Sequence, residues 1–151
     1  VAGGGQEVDT QGDSFFFAFA RARDAAAAAI AAQTALASHA WPRGVPLRVR
    51  MGLHTGEPDL GAEGYLGLDV VRGARVCAIA DGGEVLLSET TQTLLVGDEL
   101  PGARLEELGV HRLKGLNEDH RLFRIAIDGL PVSGRSGRTR VATLTRALPL
   151  R

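Results

Sequence analysis

Leu47-Arg48-Val49-Arg50-Met51-Gly52-Leu53-His54-Thr55-Gly56-Glu57 is the stretch around which the rest of the chain can be placed. Apolar and polar residues alternate with period two from Leu47 to Leu53. That pattern predicts a half-buried strand, because successive side chains of a strand point to opposite faces. The Thr55-Gly56-Glu57-Pro58 run and the residues through Gly64 then read as loop.

On the N-terminal side, Arg21 to Ala40 is alanine-rich, with Ile30, Leu36 and Trp41 spaced along it. It reads as a helix that Pro42 closes, followed by a Gly44-Val45-Pro46 turn. Further upstream, Glu7–Thr10 and Ser14–Phe19 read as two strands around a Gly12-Asp13 turn. On the C-terminal side, Leu66, Val70, Gly73, Cys77 and Ala80 recur at threes and fours, which predicts a helix from Tyr65 to Ala80. Asp81-Gly82-Gly83 stops it, and Glu84–Leu87 reads as a strand. Ser88-Glu89-Thr90-Thr91 has the form of a capped start for a short helix reaching Leu95. Arg104–Leu108 and Val110–Leu113 read as arms of a hairpin turning near Gly109, and Arg121–Ala126 as a last strand. The mixture predicts an α+β sandwich with helices on one face of a mostly antiparallel sheet.

Composition bounds the function. The chain has 151 residues, 44% apolar and 23% charged, which suits one globular domain and not two. Its single cysteine, Cys77, excludes an internal disulfide framework and a cysteine-based zinc site. The longest notable apolar run, Ala25 to Ala32, is far short of the roughly 20 residues of a membrane helix. Val1-Ala2-Gly3-Gly4-Gly5 shows neither a positive n-region nor an apolar h-region, so no signal peptide is read there, and a cytoplasmic protein with no membrane partner is expected. Residues 129–151 hold five of the 17 basic residues and none of the 18 acids. They read as a flexible tail or linker behind an acidic domain over residues 1–128. An acidic domain is not expected to bind nucleic acid, although Phe15 to Phe19 superficially matches an aromatic RNA-binding strand. No Walker-type phosphate loop occurs. His54 and Cys77 read as packed residues, His54 because no second ligand lies at metal spacing.

Five segments in order carry a family resemblance. They are Gly12-Asp13-Ser14-Phe15-Phe16-Phe17-Ala18-Phe19, Leu47 through Glu57, Tyr65-Leu66-Gly67 to Ala74-Arg75-Val76, Gly82-Gly83-Glu84-Val85-Leu86-Leu87-Ser88, and Leu113-Lys114-Gly115-Leu116. Over roughly Glu7 to Ile127 the chain resembles the class III adenylate and guanylate cyclase catalytic domain. The Trp41 to Glu57 wording is most similar to bacterial versions at the front of large ATPase-type regulators. The resemblance implies a ferredoxin-like βαββαβ-type sandwich working as a homodimer. It also implies that the family's first strand and first helices would precede Val1.

The implied reaction is attack of a ribose 3'-oxygen on the α-phosphorus of a purine nucleoside triphosphate, ATP or alternatively GTP. It gives the 3',5'-cyclic monophosphate and pyrophosphate in intracellular signalling. The family uses two Mg²⁺ (or Mn²⁺) ions on two aspartates. Asp13 matches the second, and the first would lie on the absent strand. Arg75 matches the transition-state arginine, and Lys114, the only lysine of the chain, matches the phosphate-contacting lysine. Three matched positions depart from the family. The purine-reading residue, Lys or Glu, is Asp9; its partner, Asp or Cys, is Gly64; and the ribose-orienting Asn is Val71. These departures imply an alternative, a degenerate cyclase homology domain acting in regulation or dimerisation without turnover.

Overall fold

The computed structural model describes residues 3–61, 64–132 and 144–145. The expected opening hairpin is present: β1 (Gln6–Gln11) pairs antiparallel with β2 (Ser14–Ala18), and Gln11 faces Ser14 across the two-residue Gly12-Asp13 turn. The alanine-rich segment forms α1 (Ala22–Ser38), which buries Ala25, Ala26, Ala29 and Gln33 along one side. The helix stops before Pro42. His39 is already extended, and the Trp41 indole N–H reaches back to the Leu36 carbonyl at 2.9 Å.

The central strand is shorter than its alternation predicts. The strand is Met51–Leu53 (β3), and its parallel neighbour β6 (Val85–Ser88) begins opposite Met51. Just before it, the Val49 carbonyl accepts from the Gly83 N–H and from the buried Gln33 amide, each at 2.8 Å. The segment read as loop after Thr55 contains a small hairpin, β4 (Asp59–Gly61) with β5 (Gly64–Leu66). With Tyr65 and Leu66 in that hairpin and Gly67 at φ 120°, the second helix starts later than expected, as α2 (Leu68–Ile79). Ser88 caps α3 (Glu89–Leu95) as expected, its hydroxyl accepting from the Thr91 N–H.

The hairpin expected to turn at Gly109 is corrected. Ala103–Arg112 is one strand, β7, antiparallel to β8 (Asp119–Ile127), and the pairing slips between Glu107 and Val110. Gly109, at φ 77°, sits in that bulge. A bulge and a turn draw on the same residue type, so the sequence does not separate them. The real turn spans residues 113–118 and carries Lys114.

The main sheet runs β3-β6-β8-β7. Its two faces bury different clusters, which corrects the expectation of helices on one face only. Met51, Leu53, Val85, Leu87 and Ile125 pack with α1 alanines, Phe19 and Leu95, whereas Leu86 and Leu122 pack with Val76 and Ala80 of α2. Strand alternation therefore places α1 and α2 on opposite faces. The unbroken apolar run Val85-Leu86-Leu87 is the sequence mark of a strand covered on both sides.

Separately, β1 and β2 form a three-stranded sheet with β9 (Leu144–Thr145), which lies parallel to β2. The tail arginines, Arg135 to Arg151, lie outside the described residues. Among the described residues no helix is long and apolar enough to cross a membrane.

Helix α2 lies directly on β3. A Cβ built on Gly52 would come within 2.5 Å of the Cys77 backbone nitrogen, and one on Gly56 within 2.2 Å of the Asp69 carboxyl. Neither position leaves room for any side chain. Gly52→Ala is therefore expected to push α2 off the sheet and destabilise the fold by about 2 kcal/mol or more, in the range of overpacked cores. Urea unfolding of the two proteins measures it as a lower midpoint at unchanged slope.

Candidate functional site

The end of β3 delivers His54 into the space between α2 and α3, where it is 5% exposed. Its Nε2 lies 2.8 Å from Asp69 Oδ1 in the first turn of α2, and its Nδ1 lies 2.7 Å from the Ser88 hydroxyl at the cap of α3. The contact continues inward. Ser88 Oγ is 3.2 Å from Thr91 Oγ1, which is 3.0 Å from Thr55 Oγ1, and Thr91 is fully buried. The direction of this chain follows from the protonation state of His54. A neutral His54 bonded to a carboxylate carries its proton on Nε2, so Nδ1 accepts from Ser88. Ser88 then accepts from Thr91, and Thr91 from Thr55, so every hydroxyl donates once.

Asp69 also receives the Arg72 guanidinium at 3.2 Å, and Arg72 continues to the Glu118 carboxylate at 3.3 Å. Burial pushes the Asp69 carboxyl up, but the hydrogen bonds and charges of His54 and Arg72 outweigh it and hold the group below the usual carboxylate range. Around this chain lies a cavity of about 340 Å³, lined on its far side by Glu118 to Arg121.

Six positions were expected at a nucleotide site. Arg75 rides α2 about one and a half turns after Asp69. Its Nε is buried with no hydrogen-bond partner among the described residues. Its Nη2 lies 3.8 Å from where a Cβ of Gly115 would stand, so the guanidinium reaches the turn that holds the exposed Lys114. Arg75 and the Lys114-Gly115 turn, distant in sequence, thus lie close in the fold. Val71, one turn before Arg75, is 42% exposed. Asp13 stands exposed in the β1–β2 turn, and Asp9 is an exposed residue of β1 opposite Phe16. Gly64 opens β5 opposite Gly61, and β5 packs against β1, which brings the strands of Asp9 and Gly64 together.

Asp69, Arg72 and Glu118 are the participants that sequence reasoning missed. Each is a charged residue at a helix start or turn, and only the folded distance to His54 gives it a role. The Ser88 cap was legible as a pattern, but its second partner was not. Cys77 is buried on the apolar side of α2, as expected of a small core residue.

The described residues do not fit a two-metal site. Asp13 is the one matching carboxylate, and no group of three or more His, Cys, Asp or Glu side chains among the described residues could hold a metal ion.

The chain matches no protein-family model. It is 47% identical over 116 residues to the uncharacterised protein Rv0891c of Mycobacterium tuberculosis, covering 76% of this chain and 38% of that protein. It is also 34% identical over 110 residues to an adenylate cyclase of Lachancea kluyveri, covering 56% of this chain and 6% of the enzyme. The chain thus spans well under half the length of these relatives. Among solved structures, an adenylate/guanylate cyclase/hydrolase from Silicibacter pomeroyi superposes with a TM-score of 0.66 at 23% identity, over 84% of this chain and 75% of that one.

The lowered Asp69 pKa has a signed consequence. The folded state holds this proton more weakly than the unfolded state, so the pair stabilises above the ordinary carboxylate value of 3.8 and loses that contribution as pH falls through the lower folded value. Urea midpoints of the wild type and Asp69→Asn from pH 7 to 2.5 are expected to differ at neutral pH and to converge at the acid end.

Proposed function

We propose, for a chain that has the class III nucleotidyl cyclase domain fold, that it is the larger part of a cyclase domain whose phosphate-binding cations are Arg75 and Lys114. The observation that carries this reading is the approach of the Arg75 guanidinium to the Lys114-Gly115 turn. A planar guanidinium and an ammonium presented together, one of them with a spare buried N–H, are suited to the oxygens of a polyphosphate. The substrate class is a purine nucleoside triphosphate, and the product a cyclic monophosphate with release of pyrophosphate. In such a transfer the negative charge that grows on the phosphates is met by Arg75 and Lys114. Asp9 and Gly64, on neighbouring strands, are the positions that would meet the base.

A homodimer fits the same surface. Leu68, Val71 and Ile79 of α2, with Leu66 just before it, are exposed apolar side chains on and beside the helix that carries Arg75. We assign Asp13 to a divalent-metal site by resemblance, and no step of this reading runs through a metal. The exposed Val71 favours a second reading. A valine one turn from the arginine offers a ribose no hydrogen bond but suits an apolar interface, as in a regulatory dimerisation domain without turnover.

Formation of cyclic AMP and cyclic GMP from ATP and GTP, with Mg²⁺ or Mn²⁺ at high protein concentration, tests both readings. The 151-residue chain alone is expected to show no measurable turnover, because it offers one matching carboxylate. A longer chain carrying an upstream aspartate-bearing strand is expected to turn over. In it, Arg75→Ala should lower kcat about 10²-fold, the scale of losing one oxyanion donor, and Val71→Asn should raise it. Silence of the longer chain would favour the regulatory reading.

A further inference from the structure

The chain His54–Asp69–Arg72–Glu118 is buried at one end and open at the other, and it crosses three elements. His54 belongs to the end of β3, Asp69 and Arg72 to the first turns of α2, and Glu118 to the end of the β7–β8 turn. The two elements it ties together are the ones that present Arg75 and Lys114. Arg75 follows Arg72 by three residues on the same helix, and Lys114 precedes Glu118 by four residues in the same turn.

We propose that His54, acting through Asp69, Arg72 and Glu118, is a positioning residue that sets the distance between Arg75 and the Lys114 turn, and that the protonation of His54 changes this setting. The inference rests on the reading of Arg75 and Lys114 as the phosphate-binding pair.

Physical chemistry supplies the coupling. Asp69 Oδ1 is shared by His54 Nε2 at 2.8 Å and by Arg72 Nη1 at 3.2 Å. With His54 neutral, Arg72 is the one full positive charge on that oxygen. When His54 takes a proton from solvent at Nδ1, it becomes a second cation on the same carboxylate and weakens the hold on Arg72. Nδ1 then donates to Ser88, so the Ser88 hydroxyl must turn to Thr91 and the Thr91 hydroxyl to Thr55. Protonation thus reverses a buried hydrogen-bond chain and moves charge against the helix that carries Arg75.

Every packed element contributes charge to this balance. From α2, Asp69 bonds His54 and Arg72 bonds Asp69, and Glu89 at the start of α3 lines the same cavity. Glu118, Asp119, His120 and Arg121 line the same cavity from β8 and its approach. Gly56 has a place in the device as well, since a side chain there would displace the Asp69 carboxyl.

The test follows side-chain NMR signals of the full 151-residue chain from pH 5 to 8, the range in which a histidine titrates. The expected result is that the Arg75 Nε–H resonance shifts with the same midpoint as the His54 ring carbons, and that Asp69→Asn abolishes the shared titration. In parallel, affinity for the non-cyclisable probe α,β-methylene-ATP with Mn²⁺ should fall about tenfold in Asp69→Asn, a cost of misplacing a binding group. Glu118→Gln, which alters a more exposed partner, should cost less. An Arg75 signal that stays still while His54 titrates, or a His54 that does not titrate in this range, overturns the proposal. So does probe binding that is unchanged in Asp69→Asn. If Arg75 follows His54 but the wild type binds no probe, the positioning stands and the nucleotide reading fails. Should Asp69→Asn not fold, Ser88→Ala takes its place, with the midpoints of His54 and Arg75 expected to move together.

Discussion

The close seating of α2 on β3 is the constraint on which the rest of the molecule depends. Two glycines in the strand and its exit, Gly52 and Gly56, let the helix backbone and the Asp69 carboxyl occupy space that any side chain would fill. Seated at that depth, α2 buries Val76 and Cys77. Its first turn comes within hydrogen-bond reach of His54, and Arg75 reaches the β7–β8 turn. A helix held an ångström farther out would keep its hydrophobic contacts in weakened form but lose the polar ones, which fall off steeply with distance and angle.

The two faces of the sheet divide the work. On the α1 face the packing is apolar and small, with alanines against Met51, Leu53, Val85 and Leu87. A single buried amide, Gln33, ties the helix to the Val49 carbonyl. On the α2 face the sheet runs from an apolar centre at Leu86 and Leu122 to a polar end at His54 and Ser88. The buried His54, Ser88, Thr91 and Thr55 groups persist there because each has a partner, and the chain ends on a carboxylate that also holds an arginine. The same design recurs at the sheet's other end, where Arg124 bridges Glu84 and Glu106. That second cluster is structural, since its members face one another.

On the proposed reading, the departures from the family pattern, Asp9, Gly64 and Val71, are the positions that would meet base and ribose. On the same reading, the positions that would meet phosphate, Arg75 and Lys114, both keep their cations. An electrostatic site can tolerate this asymmetry, because phosphate attraction acts over several ångströms, whereas orientation of a ribose or a base needs one hydrogen bond in one direction. On the proposed reading, the division separates holding a polyphosphate from placing it for reaction.

Local pattern alone determined much. The Gly12-Asp13 hairpin, the α1 alanine stripe, the Ser88 cap and the buried face of α2 depend on interactions within a few residues, and these are written in sequence periodicity and turn chemistry. The approximate place of Arg75 and Lys114 was also legible, one on a helix and one beside a late turn. What pairs with what was decided only by tertiary structure. Leu47–Val49 alternates like a strand but belongs to no strand among the described residues, and Gly109 makes a bulge rather than a turn because β8 continues beside it. The helices divide between two faces because Leu86 points the opposite way from Val85 and Leu87. His54 reads as a packed histidine from sequence and becomes the centre of a charged chain in the fold. Its partners Asp69 and Ser88 lie 15 and 34 residues away, a separation across which no local rule acts and only the folded distance decides.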